Sequence, residues 1–182
     1  MRLHLVRHLP PLVAPGTCYG RTDLAVGPEA QARAVPLLRA RLPAGAQVVS
    51  SPLRRCASLA VALADGATVR FDPRLAELDF GAWEMRAWSD IARAEIDAWA
   101  ADVVHYRPGG GESVFDMALR IDALYQELMD EPWLEAVVIC HAGAMRLLVA
   151  RQRGLAPLEM AHEAARRPHA IAYGEIMILD CV

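Results

Sequence analysis

The run Ala136-Val137-Val138-Ile139-Cys140 is apolar throughout and gives way at once to His141-Ala142-Gly143. A short apolar run of this kind reads as a strand buried on both faces, with no polar side to turn towards water. Strands of that type belong to parallel sheets covered by helices above and below, which points to an α/β fold: a three-layer α/β/α arrangement around a mostly parallel sheet. Other segments supply the remaining layers. Met1–His8 reads as a first strand in which Leu3 and Leu5 alternate with polar His4, and it stops where Pro10 and Pro11 offer no amide hydrogen. Gln47–Ser50, Thr68–Phe71 and part of 170–179 read as further strands. Helical spacing appears at Ala32, Val35, Leu38 and Leu42, within a helix from Pro28 to about Arg41. Ser51-Pro52 has the form of a serine cap followed by proline at the first helical position. Residues 86–101 read as one helix turning Trp88, Ile91, Ile96 and Trp99 to the core. Ser113 and Asp116 form a capping-box-like start for a helix whose core face is Val114, Met117, Ala118, Ile121, Leu124, Tyr125 and Leu128. An apolar helix from Ala144 to Arg151 follows the histidine.

A chain of 182 residues is long enough for one domain, 1–182, that buries roughly 70% of its unfolded surface. With 54% hydrophobic residues and a mean hydropathy of +0.19, disorder is not expected. A formal charge of -3 argues against nucleic acid or an anionic membrane as partner. No apolar run approaches the ~18 residues of a membrane span. Arg7 and His8 interrupt what would be the apolar core of a signal peptide. Cys18, Cys56, Cys140 and Cys181 have neither zinc-ligand nor disulfide-framework spacing, so free thiols in a reducing cytoplasm are expected, with Cys140 as core packing.

Chemistry-bearing residues collect at strand ends. Arg7-His8 and His141 each close a strand, where open α/β sheets place their ligands. Arg54 and Arg55 fall in the first turn of a helix, where cations oppose the dipole unless an anion joins them. Glu77 lies among Leu75, Leu78, Phe80 and Trp83, apolar surroundings that disfavour a charged carboxylate and suit a general acid. The long loop 12–26 carries Arg21 as its only cation, and a loop of that length inside a compact domain is usually functional. Gly109-Gly110-Gly111 permits close backbone approach but lacks the Lys-Ser/Thr of a P-loop. His105, His162 and His169 have no motif around them. Arginine forks suit phosphate oxygens, histidine can form a covalent intermediate, and glutamate can protonate a departing alkoxide. One carboxylate and two strand-end histidines fall short of a metal cage, so neither metal nor cofactor is expected. The chemistry that fits is metal-independent phosphoryl transfer through a phosphohistidine.

These elements resemble the histidine phosphatase superfamily, the phosphoglycerate mutase-like fold. Its Arg-His-Gly signature appears as Arg7-His8-Leu9, and its Ser-x-Leu-x-Arg element as Ser51 to Arg55, which selects Arg55 over Arg54. Leu75 to Glu84 matches Leu-x-Glu-x-x-Phe-Gly-x-Trp-Glu, Gly110 to Ser113 matches Gly-Gly-Glu-Ser, and Cys140 to Arg146 matches the second-histidine element. The resemblance implies that His8 attacks phosphorus while Arg7, Arg55 and His141 hold its oxygens. Glu77 then protonates the leaving alcohol and later activates water. It also suggests Glu112 as the orienter of an arginine, with Arg21 and Ala142 near substrate. The loop Cys18 to Asp23 is similar to that of α-ribazole phosphatases of cobalamin synthesis. The chain is too short for the insertion that the family's mutases carry, so hydrolysis of a phosphorylated small molecule is preferred. A mutase-type isomerase and a non-catalytic phosphate-binding domain are the alternatives, and a homodimer is left open. Two departures stand out: Leu9 and Met85 occupy positions where glycine is usual. Leu9 can continue the strand without a positive φ. Met85 could favour an apolar leaving group near the mouth or fill a core gap.

Overall fold

The computed structural model describes residues 1–166 and 170–181, so His169 lies outside the described residues. Five strands, β1 (Arg2–Arg7), β2 (Gln47–Ser50), β3 (Val69–Phe71), β4 (Glu135–Cys140) and β5 (Ile176–Asp180), form one sheet in the order β3-β2-β4-β1-β5. The first four are parallel, and β5 closes the edge antiparallel to β1. Central β4 feeds two cores. Ala136, Val138 and Cys140 enter one with Leu3 and Leu5, while Val137 and Ile139 enter the other with Val6 and Val48.

Helices α1 (Pro28–Arg39) and α2 (Arg54–Ala64) cover the second face. A short helix α3 (Arg93–Ala101) lies off the sheet. Helices α4 (Val114–Met129), α5 (Ala142–Gln152) and α6 (Pro157–Ala165) cover the first face and pack on one another. The capping box at Ser113 and Asp116 is present, and the face of α4 expected in the core is buried from Met117 to Leu128. No helix among the described residues is long and apolar enough to cross a membrane.

Four local expectations need correction. His4 is not an outward polar position; helices cover both sheet faces, so it is 6% exposed with Nε2 3.5 Å from Glu135. Helix α2 begins at Arg54, not at Pro52, with Leu53 at the cap position. Ser51 instead directly follows β2, where its amide donates to Ile139 of β4. The helix expected over 86–101 is broken into a 3-10 turn, Trp88–Asp90, and α3. Its aromatic side chains pack into a satellite cluster with Cys18, Phe80, Trp83 and Tyr106 instead of the sheet core, so no single face repeats at 3.6 residues. In α1, Ala32 faces solvent and Ala34 takes its place against the core.

Candidate active site

Strands β1 and β4 run side by side in parallel with Arg7 opposite Cys140, so the next residue of each, His8 and His141, emerges at the same sheet edge. Their ring centroids are 5.0 Å apart. His8 is 3% exposed, and its Nδ1 lies 2.7 Å from the Leu9 carbonyl oxygen. A carbonyl only accepts, so Nδ1 carries the proton and Nε2 of the neutral ring keeps its lone pair. Burial, reinforced by the charges of Arg55 and Arg7, pushes the His8 pKa down to about 3 despite the opposing Leu9 hydrogen bond. At neutral pH this is an uncharged imidazole with a nucleophilic nitrogen.

The cations beside it lack carboxylate partners. Arg55, the second residue of α2, is wholly buried and donates to the Thr22 and Gly20 carbonyls and, at 3.3 Å, from Nε to Nδ1 of His141. Arg7 donates to the Ile171 carbonyl and stacks 4.0 Å from the centroid of the Tyr173 ring, with Nε unpartnered. Neither guanidinium forms an ion pair among the described residues. A buried charge without a counter-charge is costly, which marks a place built for an anion.

His141 is 0% exposed; Nδ1 accepts from Arg55 and Nε2 lies 2.9 Å from the Ser51 hydroxyl. Both ring nitrogens are thereby engaged within the protein. Burial, with Arg55 next in effect, pushes its pKa well down.

Two carboxylates that sequence reasoning passed over fix the loop facing Arg55. Glu84 accepts from the amides of Gly20, Arg21, Thr22 and Phe80 and from the Thr22 hydroxyl. Burial alone would raise its pKa, but these hydrogen bonds outweigh burial and hold it below the usual carboxylate range. The carbonyls of Gly20 and Thr22 are thus turned towards Arg55. Asp23 accepts from the Arg54 amide at 2.6 Å and caps α2, the role expected of Ser51. Both acids sit inside the recognised motifs, yet no spacing rule foretells bonds across so much chain.

Glu77 is not immersed in hydrocarbon. Its Oε2 accepts from the Gly143 amide at 3.1 Å, and Oε1 from the Leu78 amide at 3.1 Å. A Cβ on Gly143 would stand 2.3 Å from Glu77 Oε1, so any side chain there would push the carboxylate aside. Behind it, Glu112 pairs with Arg120 at 2.6 and 2.8 Å, and Arg120 donates to the carbonyls of Arg74, Ala76 and Glu77. Glu112 therefore orients an arginine, and that arginine grips the backbone carrying Glu77. The glycine run serves the same segment, since a Cβ on Gly111 would meet the Asp79 carbonyl at 2.2 Å. What approaches these glycines is the chain itself.

Arg21 is exposed, lies 3.8 Å from Asp79 and is not part of the cleft lining. Ala142 is buried as the first residue of α5, and neither it nor Glu112 lines the cleft. Leu9 is buried without positive φ but lies beyond the end of β1, so it does not extend the strand. Met85 takes φ +65°, the left-handed region that glycine enters freely, at a cost of about 1–2 kcal/mol. Its side chain is 49% exposed and belongs neither to the cleft nor to a core cluster, so neither role expected of it applies.

Arg7, His8, Arg55, Glu77, Tyr19 and Tyr173 are among the residues that line a cleft of about 820 Å³. Among the described residues, no three His, Cys, Asp or Glu side chains converge as metal ligands.

Two consequences can be measured. Gly143→Ala should lower kcat about tenfold to a hundredfold by displacing Glu77, a loss in the range expected when a catalytic group moves by about 1 Å. Steady-state kinetics would contradict this with an unchanged kcat. The second concerns pH. An unfolded histidine protonates below about pH 6.5, whereas His8 stays neutral down to about 3 and His141 is shifted the same way. Between those limits the unfolded state binds more protons, so stability falls as pH falls; above about 6.5 these groups have no effect. Going from about pH 7 to about pH 5 should cost about 2 kcal/mol for His8, with a further loss from His141. Urea unfolding at both pH values measures the difference, which should shrink in His8→Asn. Equal stability at the two values would contradict the neutral burial.

The family model described as "Histidine phosphatase superfamily (branch 1)" matches residues 3–176. A glucosyl-3-phosphoglycerate phosphatase of Mycobacterium tuberculosis is 33% identical over 150 residues, covering 72% of this chain and 60% of the relative, so the match leaves two-fifths of that protein unaccounted for. A protein described as a probable phosphoglycerate mutase of Erwinia tasmaniensis is 29% identical over 164 residues, covering 85% of this chain and 76% of the relative. The crystal structure of the α-ribazole phosphatase from Shigella flexneri superposes with a TM-score of 0.84 at 25% identity, covering 99% of this chain and 90% of the other.

Proposed function

The chain belongs to the histidine phosphatase superfamily, and from that premise we propose that it is a metal-independent phosphomonoesterase in which His8 carries the phosphoryl group. The observation that carries this reading is the neutral, Nδ1-protonated His8 beside two guanidiniums that have no carboxylate partner among the described residues. In the first step Nε2 bonds to phosphorus, the bond to the leaving oxygen breaks, and Glu77 in its acid form protonates that oxygen. In the second, Glu77 takes a proton from water, the water oxygen bonds to phosphorus, and the N–P bond breaks to release phosphate and free His8. Arg7 and Arg55 balance the charge on the transferring group.

For the substrate, we infer an α-ribazole-type phosphate, supported by the superposition on the Shigella enzyme and by the loop from Cys18 to Asp23. Glucosyl-3-phosphoglycerate is a second reading, favoured by the 33% identity to the mycobacterial enzyme. The four buried free thiols suit work in a reducing cytoplasm. The test is phosphate release from a panel of α-ribazole phosphate, glucosyl-3-phosphoglycerate and phosphoglycerates in the presence of EDTA. Turnover of a monoester supports the proposal. Loss of turnover in EDTA contradicts metal independence, and conversion of 3-phosphoglycerate to 2-phosphoglycerate without free phosphate favours the isomerase.

A further inference from the structure

The cleft is far larger than a phosphate requires, and its lining is of two chemical kinds. Its volume of about 820 Å³ lies in the range that takes a drug-sized ligand. Besides its polar groups, which include Arg146, the lining carries Phe80, Trp88, Trp99, Val103, Val114 and Met117. The first of these, Phe80, follows Glu77 by three residues in the chain. The body of the leaving alcohol must lie next to its proton donor, in a lining that holds Leu78 and Phe80 together with Arg146.

Trp88 and Trp99 stack at 5.9 Å with an interplanar angle of 9°, and Phe80 meets both edge-on, so the rim is aromatic and held in place. Trp88 nevertheless remains 37% exposed, an apolar surface at the mouth of a cleft. A sugar or glycerate body placed here would trade water for hydrocarbon at each hydroxyl, with an unmet hydrogen bond as the cost. An aromatic body would lose no hydrogen bond and would bury apolar area against the wall.

We propose that the apolar half of the cleft is a subsite for an aromatic leaving group, so that the substrate is an amphipathic phosphomonoester with phosphate at one end and a flat apolar body at the other. This deepens the phosphatase reading and rests on it.

The test compares kcat/KM for naphthylethyl phosphate, ethyl phosphate and glucose 6-phosphate. The first two release alcohols of similar basicity, so their difference reports binding of the body and not leaving-group chemistry. Naphthylethyl phosphate should be preferred over ethyl phosphate by at least about tenfold. In Val103→Asp and in Trp88→Ala that ratio should fall towards one; because it is taken within a single preparation, any loss of folded protein cancels. Equal rates for both esters, or a faster sugar phosphate, would overturn the subsite while leaving the phosphatase reading standing. Failure to release phosphate from all three would overturn both.

Discussion

His8→Ala is expected to reduce kcat/KM by about 10⁴-fold or more, with little change in the affinity for inorganic phosphate. The rate falls because the neighbouring imidazole, His141, cannot replace the nucleophile: both its nitrogens are engaged, by Arg55 and by Ser51. Losing a nucleophile removes most of the catalytic power of a covalent enzyme, and what remains comes from charge stabilisation and binding. Binding persists because Arg7 and Arg55 are held by carbonyls and by Tyr173, not by His8. Phosphate-release assays paired with calorimetric titration of phosphate separate the two effects. A variant that retains a tenth of the activity would remove His8 from the reaction.

Arg55→Ala should cost about 10²–10³ in kcat/KM, the usual loss for one donor to a developing charge. Arg55→Lys should recover little of this. The guanidinium spans three acceptors in different directions, namely the carbonyls of Gly20 and Thr22 and Nδ1 of His141. A single ammonium cannot match that fork. The same change should abolish stabilisation by ligand: phosphate at a hundred times its Kd should raise wild-type stability by about 2.7 kcal/mol, and much less in either variant. Thermal unfolding with and without phosphate reads this directly. An undiminished phosphate effect in Arg55→Ala would mean that the anion binds elsewhere.

The parts legible in the sequence were those with a strong local signature. The run 136–140 had to be buried on both faces, and its alternate residues do enter two separate cores. The period of α4 and its capping box were equally plain. Parallel pairing then places His8 and His141 together, because residues that end adjacent parallel strands share one edge. What could not be read was set by contacts far along the chain. The start of α2 depends on Asp23, a residue of a different loop, so the serine and proline signature misled. The break at 86–101 follows from an aromatic cluster whose members come from four segments. Glu77 looked hydrophobically surrounded in one dimension, whereas in space an amide of α5 reaches its carboxylate. His4 shows the same limit, since alternation along a strand cannot say whether its second face is also covered.

The account turns on a covalent bond between phosphorus and Nε2 of His8. Rapid acid-free quenching of the protein during turnover of a monoester, followed by peptide mass spectrometry, should find one phosphoryl group on the peptide containing His8. The adduct should be labile to acid and stable to base, as a phosphoramidate is, and should be missing from His8→Ala. A phosphoryl group on another residue, or sustained turnover with the His8 peptide never modified, would contradict it.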